Sequence, residues 1–258
     1  MKTTVNHRSL GGIMRPYRVA NVLRENETTH TLLFDGRLPE AQPGQFVMAW
    51  LPEIGEKPFS IHANIPLALT ICDVGPVSNA MVNLQVHDRL WLRGPLGNGF
   101  ELKGSKHLLV GGGYGAAPLS FLAEEALRQE GEVVACLGAK TKADLILVDR
   151  LTSLGCELRV ATEDGSEGSQ GLVTEVAQEA IDAFQPDCLY ACGPTGMLLA
   201  LADFCQQRGL PAQLSFEALM RCGVGLCGSC ELPEELCQRL GLPGGWLVCH
   251  DGPVAMIG

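Results

Sequence analysis

The chain has 258 residues, 46% of them hydrophobic and 19% charged, a composition that describes a folded protein with room for about two domains and excludes disorder. Lys and Arg number 19 against 29 Asp and Glu, for a net charge of −10; this argues against nucleic acid or an anionic membrane as the main partner, since both require a basic face. No run of about eighteen apolar residues occurs and the N-terminus lacks an apolar signal core, so neither a membrane span nor a secretory leader is expected and the location expected is cytoplasmic.

From Met14 to Gly99 short apolar runs alternate with turn residues: RPYRVANVL, THTLLFDG, GQFVMAWL, PFSIHAN, LALTICDVG and DRLWLRGP. Spacing of this kind predicts an antiparallel barrel. The stretch SNAMVNLQV interrupts it with loosely helical spacing, Ser78 and Asn79 serving as cap candidates for a helix whose N-terminus would hold an anion.

After Gly104 the strands KHLLV, EVVACL, CELRVA, DCLYAC and AQLSF alternate with helical stretches near 117–130, 142–154, 171–184 and 195–208. That alternation predicts a parallel sheet with helices on both faces. The fold class expected is therefore α+β in two domains: an antiparallel β-barrel over 13–103, an α/β parallel-sheet domain over 104–216, and an appended cysteine-rich segment over 217–258.

KHLLV runs directly into GGGYGAAPL, where Gly111, Gly113 and Ala116 fit G-x-G-x-x-G/A, with Gly112 and Gly115 in the same turn. Between a strand and a helix such a turn offers bare amides and a helix dipole to a pyrophosphate, so a dinucleotide site is expected. The acidic residue that usually reads the ribose is missing from LGAKTKAD; Lys140 and Lys142 suit a 2′-phosphate equally, which leaves NAD and NADP open. The fourth strand ends at Cys192, Gly193 and Pro194, at the carboxyl edge where a nicotinamide binds or where Thr195 simply caps a helix. Thr162, Glu163 and Asp164 share that edge. In the barrel, Lys57 can neutralise a phosphate, Ser60 can hydrogen-bond and Phe59 can lie against a flat ring.

Cys222, Cys227 and Cys230 are spaced C-x4-C-x2-C, with Cys249 as a distant fourth. This is the thiolate spacing around a plant-type 2Fe-2S cluster; a four-cysteine zinc site is the competing reading, weakened because only Cys227 and Cys230 form a C-x2-C pair. Gly223, Gly225 and Gly228 let the backbone curl around the metal. Cys237 lies in the helical run ELPEELCQRL, where a small packing role is expected. The remaining cysteines of the eleven, among them Cys136, Cys156, Cys188 and Cys205, read as reduced core residues.

Taken in order, KPFS, GPLGNGF, GGGYGAAPL, TEDGS, CGPTGM, MRCGVGLCGSC and VCHDGPV resemble, over nearly the whole chain, the electron transfer subunits of class 1B dihydroorotate dehydrogenases in the ferredoxin reductase superfamily. The resemblance implies FAD in the barrel, NAD on the α/β domain and a 2Fe-2S cluster on the four cysteines. It places the flavin motif on Lys57, Pro58, Phe59 and Ser60, with lysine where the family has a phosphate-gripping arginine. It places a ring-lining segment on Thr70, Ile71 and Cys72, and a pyrophosphate pair on Val77 and Ser78. The function it implies is transfer of electrons from NADH through FAD and the cluster to an FMN-containing catalytic subunit that interconverts dihydroorotate and orotate in pyrimidine synthesis, in a heterotetramer with two copies of each subunit. In the opposite direction NAD+ is the final acceptor. No acid–base triad is expected.

Overall fold

The computed structural model describes residues 12–257. Strands β1 (Arg15–Arg24), β2 (Thr29–Phe34), β3 (Phe46–Leu51), β4 (Gly55–Asn64), β5 (Leu67–Cys72) and β6 (Arg89–Leu96) close a barrel in the order β1-β2-β5-β4-β3-β6. Every pairing is antiparallel. Val19, Leu32, Phe34, Val47, Ile61, Leu69, Ile71 and Leu90 are fully buried in its centre, each contributing about 1.5–3 kcal/mol.

The predicted interruption is a short helix, α1 (Pro76–Val82), capped by Gly75 rather than by Ser78 or Asn79. Pro76 sets the first turn, its missing N–H costing nothing there. Ser78 instead lies inside the helix, its hydroxyl accepting from the Val74 amide and donating to the Gly75 carbonyl, both at 3.0 Å.

The second domain is built on β7 (Lys106–Gly112), β8 (Glu132–Ala139), β9 (Glu157–Thr162), β10 (Ser169–Gln170), β11 (Cys188–Cys192) and β12 (Ala212–Ser215), all parallel. Helices α2 (Ala116–Arg128), α3 (Val148–Leu154), α4 (Val173–Phe184) and α5 (Thr195–Arg208) connect them. The expected helix at 142–154 is divided. A Thr141–Asp144 capping box closes a single turn over Lys142–Asp144, and α3 starts only after Leu147, which adopts φ 62°.

The cysteine-rich segment carries α6 (Glu234–Leu240) and then returns to the sheet. Its last strand, β13 (Val254–Ile257), pairs antiparallel with β12, giving the order β10-β9-β8-β7-β11-β12-β13. Met48 and Leu96 of the barrel share one apolar core with Leu108 and Val110 of the sheet and with Cys230, Trp246 and Cys249 of the segment. Phe121 of α2 packs into the barrel core.

Candidate functional site

The glycine-rich turn between β7 and α2 opens a cleft of about 650 Å³ at the carboxyl ends of the parallel strands. Gly112, Gly113, Lys140, Glu163, Gly193 and Pro194 line it. Gly115 lies beneath the turn, where a Cβ would stand 2.3 Å from the Cys192 carbonyl oxygen; only glycine permits that approach. Gly111 is also set back from the cleft, its Cα backed against Ala116 of α2. Of the two lysines, Lys142 is held by Glu167 at 2.6 Å, and Lys140 lines the cleft.

Asp144, just beyond the end of β8, lines the cleft as well. Its Oδ2 accepts from the Thr141 amide and hydroxyl at 3.1 and 2.9 Å. Among Thr162, Glu163 and Asp164 only Glu163 reaches the cleft wall. Thr162 Oγ1 instead braces the following loop by accepting from the Glu167 amide and donating to its carbonyl. Asp164 accepts from the Ser166 hydroxyl and amide, which hold its carboxyl below the usual range. Pro194, not Thr195, occupies the N-cap of α5.

A second, mostly apolar cavity of about 200 Å³ lies between the domains. Pro58, Phe59, Ser60, Thr70 and Cys72 supply its barrel side, and Tyr114, Cys192, Phe216 and Glu217 its α/β side. Lys57 does not line it and is exposed on β4. Ile71, between Thr70 and Cys72, is turned into the barrel core by strand alternation. Val77 and Ser78 also lie outside both cavities; Val77 packs under Gly55.

Cys72, Tyr114 and Glu217 border both the cavity and the cleft, so the two spaces meet there. Removal from water raises the Glu217 carboxyl, opposed by a hydrogen bond from Tyr114. The Glu217 charge in turn pushes the Tyr114 hydroxyl up to about 12. Burial, then Glu217, also raises the Cys192 thiol, so it stays neutral. Thr70 bonds to Thr31 at 2.8 Å and to His62 at 3.2 Å; burial, then Arg150, lowers His62 to about 4 and keeps it uncharged. Sequence reasoning missed Tyr114, Phe216 and Glu217. Tyr114 is a variable position of the glycine motif, and the other two directly follow a strand end whose cavity is completed by another domain.

The cysteine loop lies against the barrel. Gly223, Gly225 and Gly228 take φ of 69°, 78° and 69°, the left-handed conformation that glycine adopts without strain. Gly223 sits so close to Met48 that a Cβ would meet its Cγ at 2.8 Å. The tight curl turns amides toward sulfur: Val224 and Leu226 donate to Cys222 Sγ at 3.5 and 3.3 Å, and Gly225 to Cys249 Sγ at 3.2 Å.

Cys230 and Cys249 bring their sulfurs to 3.2 Å, with the Cys249 amide also on Cys230 Sγ at 3.4 Å, and Cys227 Sγ lies 3.1 Å from the Ser229 hydroxyl. Among the described residues no three His, Cys, Asp or Glu side chains converge on one ion position. The Ser229 hydroxyl and amide, with Cys222, pull the exposed Cys227 thiol down to about 6, while burial and Cys230 push Cys249 up to about 12. Cys237 is buried in α6 against the core. An opening of about 800 Å³ separates this loop from the barrel beside Tyr17, Gln45 and Asn98, with Val224, Cys249 and His250 on its other wall.

A dinucleotide cleft joined to an interdomain cavity defines an NAD-linked oxidoreductase of the ferredoxin-reductase-like fold. Residues 109–203 match the oxidoreductase NAD-binding domain family. A relative from Methanopyrus kandleri, named "Probable dihydroorotate dehydrogenase B (NAD(+)), electron transfer subunit", is 41% identical over 83% of this chain and 78% of its own. One from Methanocaldococcus jannaschii with the same name is 35% identical over 92% and 87%. The chain belongs to the family of dihydroorotate dehydrogenase B (NAD(+)) electron transfer subunits. Among solved structures, one described as an NADH-dependent reduced ferredoxin-NADP oxidoreductase with flavin-based electron bifurcation aligns with a TM-score of 0.80, 29% identity and 95% and 89% coverage. The flavohem-like FAD/NAD binding domain of a nitric oxide dioxygenase from Vibrio cholerae, at 20% identity and a TM-score of 0.65 over 76% and 94% of the chains, shares the fold. No helix among the described residues is long and apolar enough to cross a membrane.

Proposed function

We propose that this chain carries electrons between NADH and the FMN of a dihydroorotate dehydrogenase catalytic subunit, with FAD at the interdomain cavity and a 2Fe-2S cluster on Cys222, Cys227, Cys230 and Cys249. When bound, the flavin takes the two electrons of a hydride and gives them up singly, which a one-electron cluster requires. The protein's part is positioning. The turn at Gly112 and Gly113, lining the cleft, receives the pyrophosphate on bare amides. Gly193 and Pro194 guide the nicotinamide toward the junction bordered by Tyr114 and Glu217. Pro58, Phe59 and Ser60 receive the flavin ring at that junction, with Phe216 on the facing wall. Lys57 stands outside the cavity, exposed on β4, where its ammonium suits the flavin's phosphates rather than its ring.

The observation that carries this reading is the gathering of the four cysteines on one loop and its return, spaced C-x4-C-x2-C with Cys249 brought within 3.2 Å of Cys230. That is the spacing of a plant-type 2Fe-2S site, whereas a four-cysteine zinc site is usually built from two C-x2-4-C pairs, of which only Cys227 and Cys230 form one. The amides of Val224, Gly225 and Leu226 aimed at sulfur suit thiolates that carry charge, and the fit favours the cluster. With dihydroorotate as donor the same path runs backward to NAD+. The complex is expected to hold two copies of each subunit, in the cytoplasm.

A second reading, service to a different acceptor such as a hydrogenase, sulfide or transhydrogenase complex, draws on Lys57 in the arginine position and on the likeness to the bifurcating oxidoreductase. Purification from the native cell separates them. Flavin and iron–sulfur absorption, equal iron and sulfide content, and recovery of an FMN dehydrogenase subunit are the expected outcome. A colourless zinc protein would end the electron-transfer reading, and recovery of a hydrogenase or sulfur-reducing partner would replace the dihydroorotate assignment.

A further inference from the structure

Arg93 is placed by β6 where the barrel meets the cysteine loop. Its Nε donates to Glu56 Oε1 at 2.9 Å, and its Nη2 donates to the Cys222 carbonyl at 2.7 Å. The side chains of Arg93 and Glu56 are only 15% and 29% exposed, so their charges are less screened than those of a surface pair. Strand geometry explains the grip. Arg93 pairs in register with Met48 of β3, and Met48 is the side chain on which Gly223 rests. The residue after the first cysteine is thus seated on β3 while the carbonyl of that cysteine is gripped from β6. A planar guanidinium can serve two acceptors at fixed angles, which lysine's single ammonium cannot reproduce.

We propose that Arg93, itself oriented by Glu56, is the positioning residue that fixes the Cys222 end of the cysteine loop to the flavin barrel and sets the ease with which that end accepts an electron. The proposal rests on the cluster reading above. Adding one electron to a cluster adds one negative charge, and cluster potential follows net local charge and hydrogen bonding. The Arg93 charge favours the reduced form, and Glu56 offsets it. The two substitutions that break this pair therefore act in opposite directions. Arg93→Met removes a positive charge and lowers the cluster midpoint potential, whereas Glu56→Gln removes a negative charge and raises it. A simple mechanical tether makes no such distinction, since either change loosens the same contact. Arg93→Lys keeps the charge and loses the two-acceptor grip.

The test is redox titration of the cluster, followed by electron paramagnetic resonance, in the purified full chain carrying each substitution, with limited trypsin digestion after exposed Arg221 as a second readout. Opposite shifts for Arg93→Met and Glu56→Gln, little shift for Arg93→Lys, and faster cleavage in both Arg93 variants are expected. Shifts of the same sign, or none, in a chain that still holds its cluster overturn the proposal alone. Absence of any cluster in the unsubstituted chain overturns both the proposal and the site reading. If Arg93→Met fails to fold, the Glu56→Gln potential decides by its sign.

Discussion

Cys227 and Cys237 carry the same thiol in opposite surroundings. Cys227 is exposed, bonded to Ser229 and drawn toward the thiolate, while Cys237 is 1% exposed within the apolar core. Cys227→Ser is therefore expected to prevent cluster assembly while FAD content and NADH-driven dye reduction persist, and Cys237→Ser to leave the cluster spectrum intact. Iron content and visible spectra of the two variants check both; loss of FAD with Cys227 would mean the two cofactor sites are not separable. The grouping of the four cysteines was legible in the sequence because it rests on spacing, and the structure brings Cys249 back against Cys230 and the Gly225 amide. The interdomain cavity was only half legible. Pro58, Phe59 and Ser60 announce themselves in one short motif, whereas Phe216 and Glu217 reach the same space from a strand of the other domain. Ile71 was drawn in with its neighbours because the resemblance covers a run of three residues, but a strand turns the middle residue to the opposite side.

At the scale of elements, the turn between β7 and α2 lines the dinucleotide cleft and lies tightly against the end of β11. Gly115→Ala would set a methyl group 2.3 Å from the Cys192 carbonyl oxygen, and because the obstacle is backbone, neither side can rotate away. Overpacking of this kind costs about 1–3 kcal/mol. A lower melting temperature with NADH affinity weakened at least tenfold is expected by thermal denaturation and fluorescence titration; unchanged NADH affinity would show that the turn does not shape the cleft. The barrel strands and the main sheet strands could be read from the sequence, since apolar alternation and strand–helix alternation are local. What could not be read were the competing local bonds. Gly75 and Pro76 started α1 ahead of the expected caps, and the Thr141–Asp144 box cut a helix in two while placing Asp144 in the cleft. β13 was hidden because four residues at a sheet edge show their pairing only once β12 is beside them.

For the molecule as a whole, the three sites are joined by shared walls. The dinucleotide cleft and the interdomain cavity share Cys72, Tyr114 and Glu217. The cysteine loop is fastened to the barrel through Arg93 and Met48. The cysteine segment also joins the edge of the α/β sheet as β13, paired with β12, which ties it to both domains. Such an arrangement suits a conductor whose stations must keep fixed separations. The most direct measurement of that claim is an anaerobic titration of the purified chain with NADH, followed together by visible absorption and low-temperature electron paramagnetic resonance. Bleaching of the flavin accompanied by the resonance of a reduced 2Fe-2S cluster, with the resonance absent in Cys227→Ser, is the expected result. Full flavin bleaching while an intact cluster stays oxidised would contradict the account, because the cysteine loop would then stand outside the electron path.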